Sequence, residues 1–340
     1  MKLSNLLCMT TILILGNMSM SYADDNDFLI RTSVDMKYAF CDVKTNGVSG
    51  TNNRSGLVSG GLGFGTTSTN SMIMMRNGEN TITIEMASPN WFSTKEVPKD
   101  KLNQFNPNAK CEITVNKITD NGDIIPLTTL LVKINEKGEP EAYQGDGLDR
   151  HVEKKLIQAP NTEKVHQNKI RQNIRPNKYP RDMTVFQFNK KISMAGLPEW
   201  EWVNAERYQD TSEQRKLLQA AYLELWAAFN QKDLSKIKHI LAPSLKIWVE
   251  TTGGTIDKQF ESREFAEKFK QKEFTMIPLN WDNFEPLIMN DGKMVRLVYK
   301  EDFDYSPISY SHINSTTNRT FVGFYSPIFS LVNGKFIPVI

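Results

Sequence analysis

Three cysteines and four histidines in 340 residues leave little material for metal chemistry. The histidines (His151, His166, His239 and His312) stand far apart, and no cysteine pair has matching histidines at metal-ligand spacing, so neither a metal nor another cofactor is expected. A surplus of one charge is also missing. The 41 basic and 39 acidic residues nearly cancel, which argues against a globally basic nucleic-acid binder. Catalytic signatures are absent too: there is no Gly-x-Ser-x-Gly elbow and no His-Glu-x-x-His pair. The glycine-rich run Ser59-Gly60-Gly61-Leu62-Gly63-Phe64-Gly65 lacks the Lys-Ser/Thr of a phosphate loop and precedes no helical pattern, so it reads as a flexible hairpin or bulged strand.

The one long apolar run lies at the start. Lys2 supplies a positive end, Leu6 to Leu15 an apolar core, and Ser21-Tyr22-Ala23 a small-x-small cleavage site, the pattern of a secretory signal over residues 1–23. The run is too short to span a bilayer, and no membrane span is expected after cleavage. A periplasmic or secreted location follows as an expectation. Loss of residues 1–23 removes Cys8 and leaves Cys41 and Cys111 as the only pair in an oxidising compartment. A bridge between them closes a loop of about 70 residues, worth roughly 4 kcal/mol by chain entropy.

From Phe28 to Ile134 the pattern is short and alternating. Phe28–Ile30, Met36–Val43, Ser71–Arg76, Thr81–Met86, Cys111–Ile118 and Ile124–Ile134 read as strands, with turn signals at Asn46-Gly47, Asn77-Gly78, Asn121-Gly122 and Lys137-Gly138. This predicts an all-β antiparallel sandwich over residues 24–150. Trp91 and Phe92 follow Pro89 in a loop, where such a pair either corners the core or anchors a partner.

Residues 151–205 differ in composition. Between Lys154 and Lys191 stand ten Lys and Arg against Glu163 and Asp182, an excess of eight positive charges, and Pro160, Pro176 and Pro180 interrupt any helix. The segment reads as a basic connector, with Met183–Phe188 as a possible late sandwich strand. Its Arg171, Arg175 and Arg181 are candidate contacts for an anionic partner, because a guanidinium fork holds carboxylate or phosphate through two bonds.

The last part, 206–340, opens with the clearest element of the chain. In Thr211–Phe229 the residues Leu218, Tyr222, Leu225, Trp226 and Phe229 recur at spacings of three and four, and Asp210 or Thr211 can cap the helix. Asp233 caps a shorter helix that Pro243 is expected to end. Leu245–Glu250 and Thr255–Phe260 read as strands, Ser262 as the cap of a third helix, and Met276–Met289, Lys293–Asp304, Arg319–Val332 and Phe336–Ile340 as long strands.

The run AYLELWAAFNQKDLSKIKHILAPSLKIWVE, from Ala220 to Glu250, resembles the nuclear transport factor two-like superfamily, including its SnoaL-like branch. The resemblance implies an α+β cone for residues 206–340, so that the chain as a whole would be a sandwich followed by a cone. It also implies a cavity near Tyr222, Trp226, Glu250, Tyr299 and Asp302, in which a buried acid serves the members that are enzymes. Other members are non-catalytic accessory domains. The leading expectation is therefore an exported, non-catalytic protein that binds a protein or an anionic cell-envelope component, such as an immunity or accessory protein. The alternative is a small-molecule enzyme or carrier that uses the cavity of the α+β domain over residues 206–340.

Overall fold

The computed structural model describes residues 28–93, 95–159, 179–180, 182–300, 305–314 and 317–340. Two antiparallel sheets form the first half. One contains β1 (Phe28–Lys37), β4 (Gly65–Thr69), β6 (Lys110–Thr119), β7 (Ile124–Ile134), β8 (Pro140–Gln144) and β9 (Gly147–Leu148), in the order β4-β1-β6-β7-β8-β9. The other contains β2 (Phe40–Thr45), β3 (Val48–Asn52), β5 (Gly78–Ala87), β10 (Val152–Gln158) and β11 (Thr184–Met194), in the order β10-β11-β5-β2-β3. Both owe their position to period-two alternation: Ile30, Thr32, Val34 and Met36 of β1 point inward, as do Cys111, Ile113 and Val115 of β6 and Ile82, Ile84 and Met86 of β5. The disulfide Cys41–Cys111 ties β2 of one sheet to β6 of the other.

Two expectations here need correction. Ser71–Arg76 is not a strand, since Ser71–Met74 forms a single 3-10 turn. All four of its residues are buried, which a strand with one solvated face cannot achieve. The segment after residue 150 supplies two strands rather than one: β10 and β11 pair with each other, and β11 joins β5 through nine residue pairs from Phe186↔Met86 to Met194↔Gly78.

The expected α+β cone is not what forms. Strand dominates the chain, 42% against 26% helix, in four antiparallel sheets, and the later strands divide between two small sheets where a cone needs one curved sheet. The helices among the described residues are α1 (Arg54–Val58), α2 (Ser212–Asn230), α3 (Leu234–Ile240), α4 (Ala242–Thr252), α5 (Ile256–Glu261) and α6 (Phe265–Phe269). The remaining strands are β12 (Lys272–Met276), β13 (Phe284–Met289), β14 (Met294–Tyr299), β15 (Ile308–Ile313), β16 (Thr320–Tyr325), β17 (Phe329–Val332) and β18 (Lys335–Pro338). They pair as β12-β15-β16 and as β13-β14-β17-β18.

Each local difference has a reason. Pro243 starts α4 instead of ending α3, because a proline in the first helical turn forfeits no hydrogen bond; Leu245–Glu250, expected as a strand, is therefore helix. Thr255–Phe260 is helical as well, with the Thr255 hydroxyl accepting from Lys258 N at 3.2 Å. The expected Met276–Met289 strand breaks at the capped turn Trp281–Asn283, and Arg319–Val332 breaks around Pro327, so that each long run feeds both small sheets. The α2 helix forms as its pattern predicts, with the Thr211 hydroxyl accepting from Gln214 N.

The two halves share apolar interior. Ile247 of α4, Met289, Met294, Ile328 and Val339 belong to the same buried cluster as Ile30, Ile84 and Val115. A buried hydrogen bond from Asn70 Nδ2 to Thr251 Oγ1, 2.7 Å, and one from Asn290 N to Asn46 O, 2.9 Å, add polar links.

Two outcomes are expected. Alkylation of the unreduced protein should leave Cys41 and Cys111 unmodified, and Cys41→Ala/Cys111→Ala should lower stability by roughly 4 kcal/mol in urea titration, the loop spanning 70 residues. Tyr222 is fully buried, its hydroxyl accepting from Leu297 N at 3.0 Å and donating to Pro327 O at 3.1 Å. Tyr222→Phe strands both backbone groups and should cost about 2–4 kcal/mol; a loss under about 0.5 kcal/mol would show that the two groups find other partners.

Candidate functional site

The outward face of the β10-β11-β5-β2-β3 sheet divides into two parts. At one end Phe40, Ala87 and Val185 are covered by Leu57, Phe92, Tyr179 and Met183, forming a small separate core. Beyond it the same face turns polar in two cross-strand rows. Asp42, Glu85 and Gln187 lie side by side, and so do Lys44, Thr83, Asn189 and Glu153. The side chains bond to one another: Gln187 Nε2 donates to Glu85 Oε1 at 3.0 Å, Thr83 Oγ1 to Asn189 Oδ1 at 2.8 Å, and Asn189 Nδ2 to Gln187 Oε1 at 3.1 Å.

This polar face is the floor of a cleft of about 800 Å³. Its opposite wall is the turn from Ile288 to Gly292 between β13 and β14. Asn46 fixes the distance between floor and wall. Its amide donates to Met74 O and to Asn80 Oδ1, each at 2.8 Å, its own side-chain oxygen accepts from Thr81 N at 2.9 Å, and its carbonyl accepts from Asn290 N. Asn46 and Gly47 both have positive φ, 50° and 78°, which only residues tolerant of the left-handed region supply in so tight a turn. Exposed or half-exposed ion pairs ring the mouth, Lys191–Glu79 at 2.9 Å and Arg76–Asp291 at 3.7 Å.

Lys44 stands where the cleft meets a smaller cavity of about 120 Å³, whose lining includes Asp42, Arg54, Tyr179 and Arg296; the two cavities share Lys44, Gly47 and Met289. The Lys44 ammonium lies 2.6 Å from Glu85 and 3.7 Å from Asp42. Burial alone would drive its pKa down, but the two carboxylates outweigh burial and hold it above the usual lysine value. Burial pushes the Asp42 carboxyl up, Lys44 drawing it back and Glu85 adding to the rise. A hydrogen bond from Ser49 and the charge of Arg54 also draw it down, without cancelling the effect of burial. Among the described residues no cluster of His, Cys, Asp and Glu could hold a metal ion.

No family model matches this chain, and no curated protein or solved structure is detectably similar to it.

The residues singled out from the sequence are not gathered at this cleft. Trp91 is half-buried and donates its indole N–H to Asn103 Oδ1 at 2.8 Å, while Phe92 is buried with its ring 5.3 Å from that of Phe40. Both cover the small core beside the cleft. Tyr222 and Tyr299 are buried, Tyr222 against Phe329 and Tyr299 against Phe284. Trp226 donates to Ile277 O at 3.0 Å. Glu250 lies on α4 beside Lys246, its carboxyl raised by partial burial. Tyr222, Trp226 and Tyr299 thus take part in apolar packing, while Glu250 pairs with Lys246. Asp302, Arg171, Arg175 and Arg181 lie outside the described residues.

The cleft residues did leave a signal in the sequence. Thr81-x-Thr83-x-Glu85 alternates polar groups with Ile82 and Ile84, and Gln187 and Asn189 flank the buried Phe188 in the same way. That they would share one face required the pairing of β5 with β11, about 105 residues apart in sequence. His151, assigned from sequence to the connector, lines the cleft, and the adjacent Asp149 holds the strand entry by accepting from His151 N at 3.0 Å and from Lys190 Nζ at 2.8 Å.

Burial works to raise the Asp149 carboxyl, but the bonds from Lys190 and His151 N prevail and hold it below its ordinary value. A depressed acid stabilises the fold above its unfolded pKa, about 3.9, and that contribution fades as pH falls through the folded value. Asp149→Asn should therefore cost about 2 kcal/mol at neutral pH, with the difference from wild type narrowing below about pH 4 in urea titrations. A difference that stayed constant from pH 7 to pH 3 would refute the charge-linked account.

Proposed function

We propose that this is an exported, non-catalytic binding protein for a protein or an anionic cell-envelope component, with the polar cleft as its contact surface. The observation that carries the reading is the cleft floor. Amide, hydroxyl, carboxylate and ammonium groups lie in register across four strands and are bonded mainly to one another, so they form a rigid recognition surface. The ion pairs at its mouth are exposed or half-exposed, and such pairs contribute about 0.2–1 kcal/mol each, so they exchange for contacts to a ligand at small cost. Lys44, Arg76 and Lys191 face Glu79, Glu85, Glu153 and Asp291, which favours a partner recognised by hydrogen bonds over one recognised by net charge alone. The Cys41–Cys111 bond and the secretory pattern of residues 1–23 support an oxidising compartment outside the cytoplasm. Of the ten basic side chains between Lys154 and Lys191, Lys154, Lys155, Lys190 and Lys191 pair with Glu141, Glu153, Asp149 and Glu79, so attraction of an anionic partner falls to the other six, Arg171, Arg175 and Arg181 among them.

The test is capture from a native periplasmic or secreted fraction, followed by affinity measurement on the partner recovered. Gln187→Ala/Asn189→Ala should weaken binding at least tenfold with little change in thermal midpoint. Arg171→Gln/Arg175→Gln/Arg181→Gln should reduce the association rate and its dependence on salt. Binding indifferent to the floor substitutions would remove the cleft from the reading, and binding indifferent to salt and to the arginines would remove the anionic partner.

A further inference from the structure

The outward face of the β4-β1-β6-β7-β8-β9 sheet sets like charges against one another. Lys37, Lys110 and Lys133 stand directly opposite across β1, β6 and β7, and all three are half-buried. Their neighbours Met36, Cys111 and Val132 point into the core, which puts the three lysines together on the outer side. Like charges in register weaken a sheet, and partial burial strengthens their repulsion.

Carboxylates answer only the middle lysine. Asp35 and Glu112 both bond to Lys110, at 2.6 Å and 3.1 Å, and the Asp35 bond leads in holding that ammonium above the usual lysine pKa against partial burial. Glu141 stands opposite Lys133 in register, but it accepts from Lys154 Nζ at 2.6 Å, and the Lys133 ammonium lies instead 4.6 Å from the centre of the Tyr143 ring. The Lys37 ammonium lies 5.3 Å from the centre of the Tyr38 ring, and among the described residues neither it nor Lys133 has an ion-pair partner. An aromatic face holds a cation in place without cancelling its charge. The fold leaves these two charges unanswered.

All three lysines line one cavity of about 330 Å³, together with Pro107, Asn108 and Tyr143, and its lining among the described residues contains no Asp or Glu. The backbone amides of its rim are already used: Asn108 N donates to Asn106 Oδ1 at 2.9 Å and Ala109 N to Asn106 O at 2.9 Å, so the lysines are left to recognise a ligand. Three ammonium point charges without a guanidinium fork suit a tetrahedral anion better than a planar carboxylate. The volume equals that of roughly ten waters, enough for the nine or so heavy atoms of a diphosphate, whereas a single phosphate would fill about half. We propose that this pocket binds a diphosphate group, with Lys37 and Lys133 closing on it from β1 and β7 and Lys110 between them. The proposal is independent of the cleft, which lies on the other sheet.

The experiment is calorimetric and thermal-shift titration of the full protein with inorganic diphosphate, inorganic phosphate, sulfate and uridine diphosphate at constant ionic strength, with chloride as the reference. Inorganic diphosphate should raise the thermal midpoint saturably and bind at least about fivefold more tightly than phosphate or sulfate. Lys37→Gln/Lys133→Gln should weaken it at least about tenfold and leave the midpoint in chloride unchanged or higher, because no ion pair is lost and a repulsion is relieved. Lys37→Arg/Lys133→Arg, which keeps both charges, should stay within about threefold of wild type, and Lys216→Gln, exposed on α2, within about twofold. Tighter binding of uridine diphosphate than of the free ion would place the group on a larger molecule, and weaker binding would assign the pocket to the free ion. A diphosphate response no greater than that of sulfate, one that the double glutamine variant keeps, or equal loss in the Lys216 variant would overturn the pocket. Gln187→Ala/Asn189→Ala should leave diphosphate binding unchanged, so that the cleft and this pocket stand or fall separately.

Discussion

A single lysine ammonium held between two carboxylates organises the functional face of this protein. Asp42 and Glu85 are adjacent across β2 and β5, and both are almost fully buried, so like charges would repel strongly there if no cation intervened. Lys44, two residues along β2, has its side chain on the same face and supplies that cation. Replacing one member of such a group leaves an uncompensated buried charge, a cost of about 3–5 kcal/mol, whereas apolar residues throughout would pack at no such cost. The arrangement therefore makes the most sense as a device for presenting polar groups at a fixed spacing. Both cavities open from it.

The cleft also depends on how the two halves of the chain meet. The later helices and strands enclose an apolar cluster of their own around α2, but Ile247 of α4 and Met289 and Met294 beside the β13–β14 turn pack into the interior of the first two sheets instead. Asn46 acts as the joint, because its five hydrogen bonds hold the tip of one hairpin, the Asn80 segment and the facing turn together. Without that contact the cleft would have a floor and no wall. The expected cone failed for the same reason: Leu245–Glu250 had an interior to pack against as helix, and Pro243 sits where a helix begins without loss.

Much of the local structure was legible in the chain. Period-two alternation marked β5, β6, β7 and β11, glycine turns marked the hairpins at Asn46-Gly47, Asn121-Gly122 and Lys137-Gly138, and spacing with a capping threonine marked α2. Errors fell where a short apolar run carried no period, as at Ser71–Met74, or where proline had two meanings, as at Pro243. The aromatic residues drew attention in proportion to their size, yet Phe92, Tyr222 and Tyr299 went into cores, which is where large apolar surface gains most by leaving water.

The sequence by itself determined strands β5, β6, β7 and β11, the first long helix, the pairing of Cys41 with Cys111 once Cys8 is set aside, and the polar alternation in β5, because each depends on neighbours within a few residues or on simple elimination. Only the tertiary structure decided that Lys44, Glu85, Gln187, Asn189, Asn290 and Arg296 would surround common space. Those residues come from strands and turns as much as about 250 positions apart, and their approach is set by sheet order and by a shared core. Sheet order follows from which apolar faces bury each other best over the whole chain, a global competition that no local pattern records.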